Sequence, residues 1–153
     1  MGEKALAVQR RAGRRYGEAI ALGIIGGACR ELGRHTEAID HLQQALDIAR
    51  EFNDRHVEAT SLSDLGDAYL GLDQVADGVD CYTESLAIWR DLADRHGQAA
   101  TLRRLARAGQ RSGDTRQAVE FLTEALRLCE ELGDHAEASE VRVSLAECGR
   151  AVG

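Results

Sequence analysis

The amino-acid sequence predicts an all-α protein, an α-solenoid of antiparallel helix pairs with about seven to eight helices. Three observations carry that expectation. First, landmarks recur at a fixed interval: Leu65-Gly66 answers to Ile25-Gly26 and Leu105-Ala106, Gly78-Val79 to Ala38-Ile39 and Ala118-Val119, and Ser85-Leu86 to Ala45-Leu46 and Ala125-Leu126. A repeat of this kind marks stacked supersecondary units, each too small to bury its apolar face alone. Second, apolar residues within each unit recur at three- and four-residue steps, the mark of one-sided helices. Third, the 153 residues include no proline and only 4% aromatics, so the core must be built from Leu, Ala, Val and Ile. The main helix breaker is absent and the core formers all tolerate helices.

Taken in order, residues 1–15 look like an irregular start, yet Ala5, Leu6 and Val8 stand one full period before Ala45, Leu46 and Ile48. They are expected to be the partial second helix of a preceding repeat, with the chain a fragment of a longer array or, as the alternative, opening on a degenerate N-terminal cap whose first helix was lost. The first full unit, 16–55, opens with a helix from Gly17 to about Arg30 that carries Ala19, Leu22, Ile25, Gly26 and Cys29 on one face, and Gly33 closes it as a C-cap. Its second helix, Thr36 to about Glu51, turns Ala38, Ile39, Leu42, Ala45, Leu46, Ile48 and Ala49 inward, a wider stripe that implies neighbours on two sides. Asp54 is the expected N-cap of the next helix, and Asp94 and Asp134 repeat its chemistry. Unit 56–95 packs Ala59, Leu62, Leu65, Gly66 and Tyr69 against Val75, Val79, Tyr82, Leu86 and Trp89. In unit 96–134, Leu102, Leu105 and Ala106 precede Gly113-Asp114, where Asp114 and Gln117 read as a capping box before Val119, Leu122, Leu126 and Leu128. Residues 135–153 begin an incomplete fourth unit with Ala138, Val141, Leu145 and Ala146, after a loop expected to be one residue shorter. Neither end carries a polar-backed capping helix, so self-association through the end helices is a further expectation.

Composition narrows the partners. A formal charge of −7 and a pI near 5.2 argue against direct nucleic-acid binding by this segment, because phosphate binding needs clustered Lys and Arg. No apolar run is long enough to span a membrane, and Met1-Gly2-Glu3-Lys4 lacks the basic start and apolar core of a signal peptide, which places the chain in the cytoplasm. Met1-Gly2 is followed by no Ser or Thr at the place myristoylation requires. The four cysteines, at 29, 81, 129 and 148, include no C-x-x-C pair and read as free, reduced packing residues rather than disulfides or a compact zinc site. Basic residues are 18 Arg to one Lys beside 24 Ala, a bias of GC-rich coding that points to a bacterial source.

Leu62-x-x-Leu65-Gly66-x-x-Tyr69, followed by Gly78-x-x-x-Tyr82-x-x-Ser85, resembles the tetratricopeptide repeat pattern, with Leu62 where that motif usually has Trp. The resemblance covers 16–153 and, weakly, 4–15. Gly26, Gly66, Ala106 and Ala146 stand at the close-contact place between paired helices, and Ala38, Gly78 and Ala118 at the second small-residue contact. The period, about 40 residues, exceeds the roughly 34 residues typical of the pattern, and the late proline is missing. Both departures are similar to the longer subtype found in kinesin light chains and in the C-terminal arrays of actinobacterial transcriptional regulators. The resemblance implies a right-handed superhelix, no cofactor, and a concave groove lined by the first helix of each pair that holds a peptide or partner segment.

Placed on that pattern, the groove-facing residues are Ile20, Gly23, Gly27 and Arg30; Thr60, Ser63, Asp67 and Leu70; Ala100, Arg103, Arg107 and Arg111; and Glu140, Val143 and Glu147. Arg103, Arg107 and Arg111 are spaced i, i+4, i+8 and form one stripe of planar donors able to pair with the carboxylates of an acidic partner. The competing interpretation is a solvated face balanced by Asp67 and Glu147, with Arg104 pointing elsewhere. Where long-subtype arrays carry a ligand-holding Asn before the Leu-Gly pair, this chain has Ile24, Asp64, Arg104 and Ser144. His56, His96 and His135 recur along one edge, but repeats about 10 Å apart cannot share one ion bound at about 2 Å per ligand. Trp89 and Tyr82 read as packing residues rather than a ligand platform. There is no HExxH, GxSxG or GxxxxGK[ST], and Gly23-x-x-Gly26-Gly27 is helix-packing glycine, so the expectation is a non-enzymatic interaction module. Two alternatives stand beside it: a small-molecule effector domain with Gly23 and Gly27 making room for a ligand, and a self-assembly element stacking through its ends.

Overall fold

In the computed structural model, which describes residues 2–152, seven helices follow one another: α1 (Gly2–Glu31), α2 (His35–Glu51), α3 (Arg55–Gly71), α4 (Val75–Asp91), α5 (Arg95–Ser112), α6 (Thr115–Leu132) and α7 (His135–Val152). Met1 and Gly153, the outer ends of the expected first and last units, lie outside the described residues. Short turns fold α1 on α2, α3 on α4 and α5 on α6, and each pair stacks on the next, with lighter contact between the first helices α1, α3 and α5.

The turns show how the period is kept. A left-handed residue stands at Gly33, Asn53, Asp73, Ala93, Gly113 and Gly133, one at each half-period. Asp54, Asp94 and Asp134 then accept hydrogen bonds from the backbone N–H of Val57, Gly97 and Glu137 at 3.0, 2.8 and 3.1 Å, and Asp114 does the same for Gln117 at 3.1 Å. The turn before α7 thus keeps its place relative to its cap. The missing residue falls just after the cap, in the first turn of α7: buried Ala138, Val141 and Cys148 each come one residue early relative to buried Ala99, Leu102 and Gly109 of α5. Ala146, expected at the close-contact place, is therefore off the packed face and exposed, and half-buried Leu145 stands where Ala106 stands in α5.

A second expectation fails outright. Residues 2–15 are not the second helix of another repeat but the first half of α1, which runs unbroken for 30 residues. Gly13 stands a half-period before Gly33 yet has no positive φ, and Arg14 follows it in place of a side-chain acceptor that could cap a new helix. With no proline and no cap to compete, the i→i−4 bonds continue. Leu6 and Val8 are 47% and 67% exposed, so their echo of the buried Leu46 and Ile48 reflects composition, not packing. From Tyr16 onward α1 is docked: the Tyr16 hydroxyl donates to Asp54 at 2.6 Å and its ring meets Phe52 edge-on at 5.8 Å. That hydrogen bond, with the Val57 N–H, holds the Asp54 carboxyl below the usual carboxylate range.

Paired helices approach closely where side chains are small. A Cβ at Gly26 would lie 2.6 Å from Leu42 Cγ, one at Gly66 would collide with the Tyr82 ring, and one at Gly78 would collide with Leu70. Ala38, Ala106 and Ala118 are fully buried at the matching places. Trp89 is buried between α4 and α5, its ring against Gly97 and edge-on to His56 at 5.0 Å. All four cysteines are free thiols, three of them buried. No described helix is long and apolar enough to cross a membrane.

Candidate binding groove

The face on which α1, α3 and α5 stand side by side is centred on one carboxylate. Asp67 Oδ1 accepts from the Tyr82 hydroxyl at 2.5 Å, and Asp67 Oδ2 accepts from Arg104 Nε at 3.2 Å with Arg30 Nη1 at 3.4 Å. Its side chain is only 13% exposed, so three donors from three helices compensate a mostly desolvated charge. Burial, and then the bond to Asp67, push the Tyr82 hydroxyl far up, which keeps it a donor. One turn earlier on α3, burial raises the Asp64 carboxyl above the usual range although Arg30 and Arg104 oppose the shift; Arg30 Nε is 3.9 Å away.

The predicted arginine stripe is divided among three tasks. Arg103 reaches α7, where it pairs with Glu137 and, at 2.9 Å, with Glu140. Arg111 turns back to α3, donating to the Leu70 carbonyl at 2.7 Å and to Asp73 at 2.8 Å. Arg107 is exposed and forms no ion pair among the described residues. Arg104, expected to point elsewhere, lies in the groove on Asp67, because the neighbouring carboxylate sits at that helix position and not at the position of Arg103. Asp67 accordingly balances Arg30 and Arg104 rather than the stripe.

Two further residues touch the groove but are held mainly by packing. Ser63 is 4% exposed; its hydroxyl bonds that of Ser85 at 2.8 Å, and Ser85 donates to the Ala59 carbonyl, so Ser63 joins α3 to α4 at the wall of the hollow it shares with Thr60 and Asp64. Leu70, also 4% exposed, belongs to the core because the glycine at 78 lets α4 come against it. Ile20 and Gly23 do line the groove: with Ile24, Val57, Thr60 and Asp64 they surround an apolar cleft of about 360 Å³ between α1 and α3. Among the described residues, nothing lies within 4 Å of a Cβ placed at Gly23 or Gly27. Glu140, Val143 and Glu147 are exposed on α7. The residues missed as a set are Ile24, Asp64 and Arg104, and the signal was present, since they occupy the position before the Leu-Gly pair.

Comparisons with known proteins agree with this fold. The family model described as tetratricopeptide repeat matches residues 1–51 and 57–131. The chain belongs to the tetratricopeptide repeat family. No curated protein sequence matches it. Among solved structures, apo RapI is similar with a TM-score of 0.82 at 13% identity, covering 88% of this chain and 49% of that one. The chain thus spans about half the length of RapI. The tetratricopeptide domain of Arabidopsis FLU gives 0.73 at 18% identity, with 76% and 98% covered. A putative kinesin light chain from Podosopora anserina, with nearly identical repeats, gives 0.75 at 23% identity, with 87% and 66% covered. These likenesses establish the fold and meet the kinesin light chain resemblance seen in the sequence. Tetratricopeptide repeats are in general protein-interaction scaffolds.

Proposed function

We propose that this tetratricopeptide chain is a non-enzymatic interaction module, the sensor or scaffold segment of a larger cytoplasmic bacterial regulator, whose concave face holds an extended, acidic partner segment. The observation that carries this reading is the continuity of the groove. The apolar cleft shares Thr60 and Asp64 with a hollow that includes Ala100 and Arg104; that hollow shares Ala100 and Arg104 with a third, and the third shares Arg30, Asp67 and Arg107 with a fourth. The groove is thus apolar at α1–α3 and cationic at α3–α5, which suits a segment joining an aliphatic or aromatic side chain to carboxylates.

Selection of a random peptide library on the immobilised chain tests this. Peptides that combine an apolar anchor with Asp or Glu are expected to be enriched, and Arg107→Glu is expected to abolish their binding with helical circular dichroism unchanged. Arg103 is a poor choice for the same test because its loss would also free Glu137 and Glu140 of α7. A selection without consensus, or a consensus indifferent to Arg107→Glu, refutes the groove. The cleft of about 360 Å³ also suits a small apolar effector, a second reading that a thermal-shift screen of metabolites addresses.

A further inference from the structure

At the cationic end of the groove, basic side chains from three helices line one hollow. Arg30 Nε on α1, an N–H 3.9 Å from Asp64 Oδ1, and His35 Nδ1 on α2, an N–H in one tautomer, are both shielded from solvent and have no hydrogen-bond partner among the described residues. Both residues line one hollow of about 240 Å³, together with Arg107 and Arg111 of α5 and Asp67, Leu70 and Gly71 of α3. Gly71 makes this possible, since any Cβ there would collide with the His35 ring. Neither buried atom opens into the hollow; the guanidinium groups of Arg30, Arg107 and Arg111 supply its charge, and of these Arg107 has no ion-pair partner among the described residues.

We infer that this hollow is an oxyanion site for a phosphoryl group, contacted by Arg30, His35, Arg107 and Arg111. The inference rests on the concave face being the ligand face. A carboxylate offers two oxygens in one plane and is satisfied by a single guanidinium fork, whereas a phosphoryl group offers three acceptor oxygens in different directions. The donors here arrive from α1, α2 and α5, which is the arrangement the second geometry needs. Three arginines line the hollow against one carboxylate, and Asp67 is already engaged by Arg30, Arg104 and Tyr82. Asp64, 3.9 Å from Arg30 Nε, is not among the residues lining the hollow, while Glu31 and Asp73, the rim carboxylates on Arg30 and Arg111, are 74% and 85% exposed and are weak competitors in water.

The test is isothermal titration of the chain with inorganic phosphate at ionic strength held constant with sodium chloride. One saturable site per chain is expected. Arg107→Ala, at an exposed residue without ion-pair partners among the described residues, should weaken it about tenfold or more, the loss of a charge-assisted contact. Gly71→Ala, which displaces the His35 ring, should weaken it as well, and Arg142→Ala, whose partner is Glu130 of α6 outside the hollow, should not. A parallel titration with a synthetic phosphoserine peptide and its unphosphorylated twin identifies the source. Tighter binding of the phosphopeptide than of phosphate assigns the group to a partner segment, and equal binding assigns it to a small phosphorylated molecule. Absence of saturation, or an affinity unchanged by Arg107→Ala, overturns the site. Because inorganic phosphate is the probe, that failure would leave the peptide groove standing, and a failed peptide selection would leave the phosphate result to be read by itself.

Discussion

Glycines inside the helices do opposite things in this chain, and the difference is set by what stands across from each. At Gly66 a methyl group would enter the Tyr82 ring, whose hydroxyl is fixed on Asp67 and whose body is fully buried, so the ring cannot yield. Gly66→Ala is expected to destabilise the chain by about 1–3 kcal/mol, through overpacking. In thermal unfolding this is a fall in Tm of roughly 2–10 °C for a chain of this size. At Gly23 the same methyl meets nothing within 4 Å, and the helix gains a better former. Gly23→Ala should stabilise by roughly 0.5–1 kcal/mol, at the expense of the open floor of the apolar cleft. A pair of melting curves with shifts of the same sign would refute this division. The sequence identified Gly66 through its repeat position, but not the roles of Gly71 and Gly97, which have no counterpart in the repeat pattern and matter only because His35 and Trp89 lie on them.

The turns between helices obey one backbone rule with different residues. Each needs a left-handed residue, supplied by Gly33, Gly113 and Gly133 without strain and by Asn53 and Asp73 at modest cost, whereas Ala93, at φ 53°, has neither a missing Cβ nor a side chain that bonds locally. Ala93→Gly is expected to stabilise the α4–α5 turn by roughly 0.5–1 kcal/mol, the relieved left-handed strain less the entropy of glycine. Chemical denaturation with an unchanged m-value would report it, and an unchanged or lowered midpoint would show that the turn is not strained. The aspartate caps were legible at Asp54, Asp94, Asp114 and Asp134 because capping is a local interaction. The fate of residues 2–15 was not, since a glycine half a period before a true turn looks the same whether or not the chain reverses there.

Over the whole molecule, packing is uneven in a way that exchange of backbone amides can read. Residues 3–14 of α1 are helical but stand beyond α2, whereas α3 to α6 are covered on two sides. Amides of 3–14 should exchange fastest among the helical residues, those of α3–α6 slowest, and α7, buried on one face, between them. Slow exchange throughout α1 would mean that its first half is covered in solution. The repeat, the helix pairs, the caps and the small-residue contacts other than Ala146 were determined by the sequence alone, because period, apolar spacing and cap chemistry are local and recur. The tertiary structure alone decided the groove. An arginine's partner depends on which carboxylate a neighbouring helix brings within reach, so Arg103 went to α7, Arg111 to the Leu70 carbonyl, and Arg104 to Asp67, leaving Arg107 without an ion-pair partner among the described residues in the hollow that Arg30, His35 and Arg111 also line.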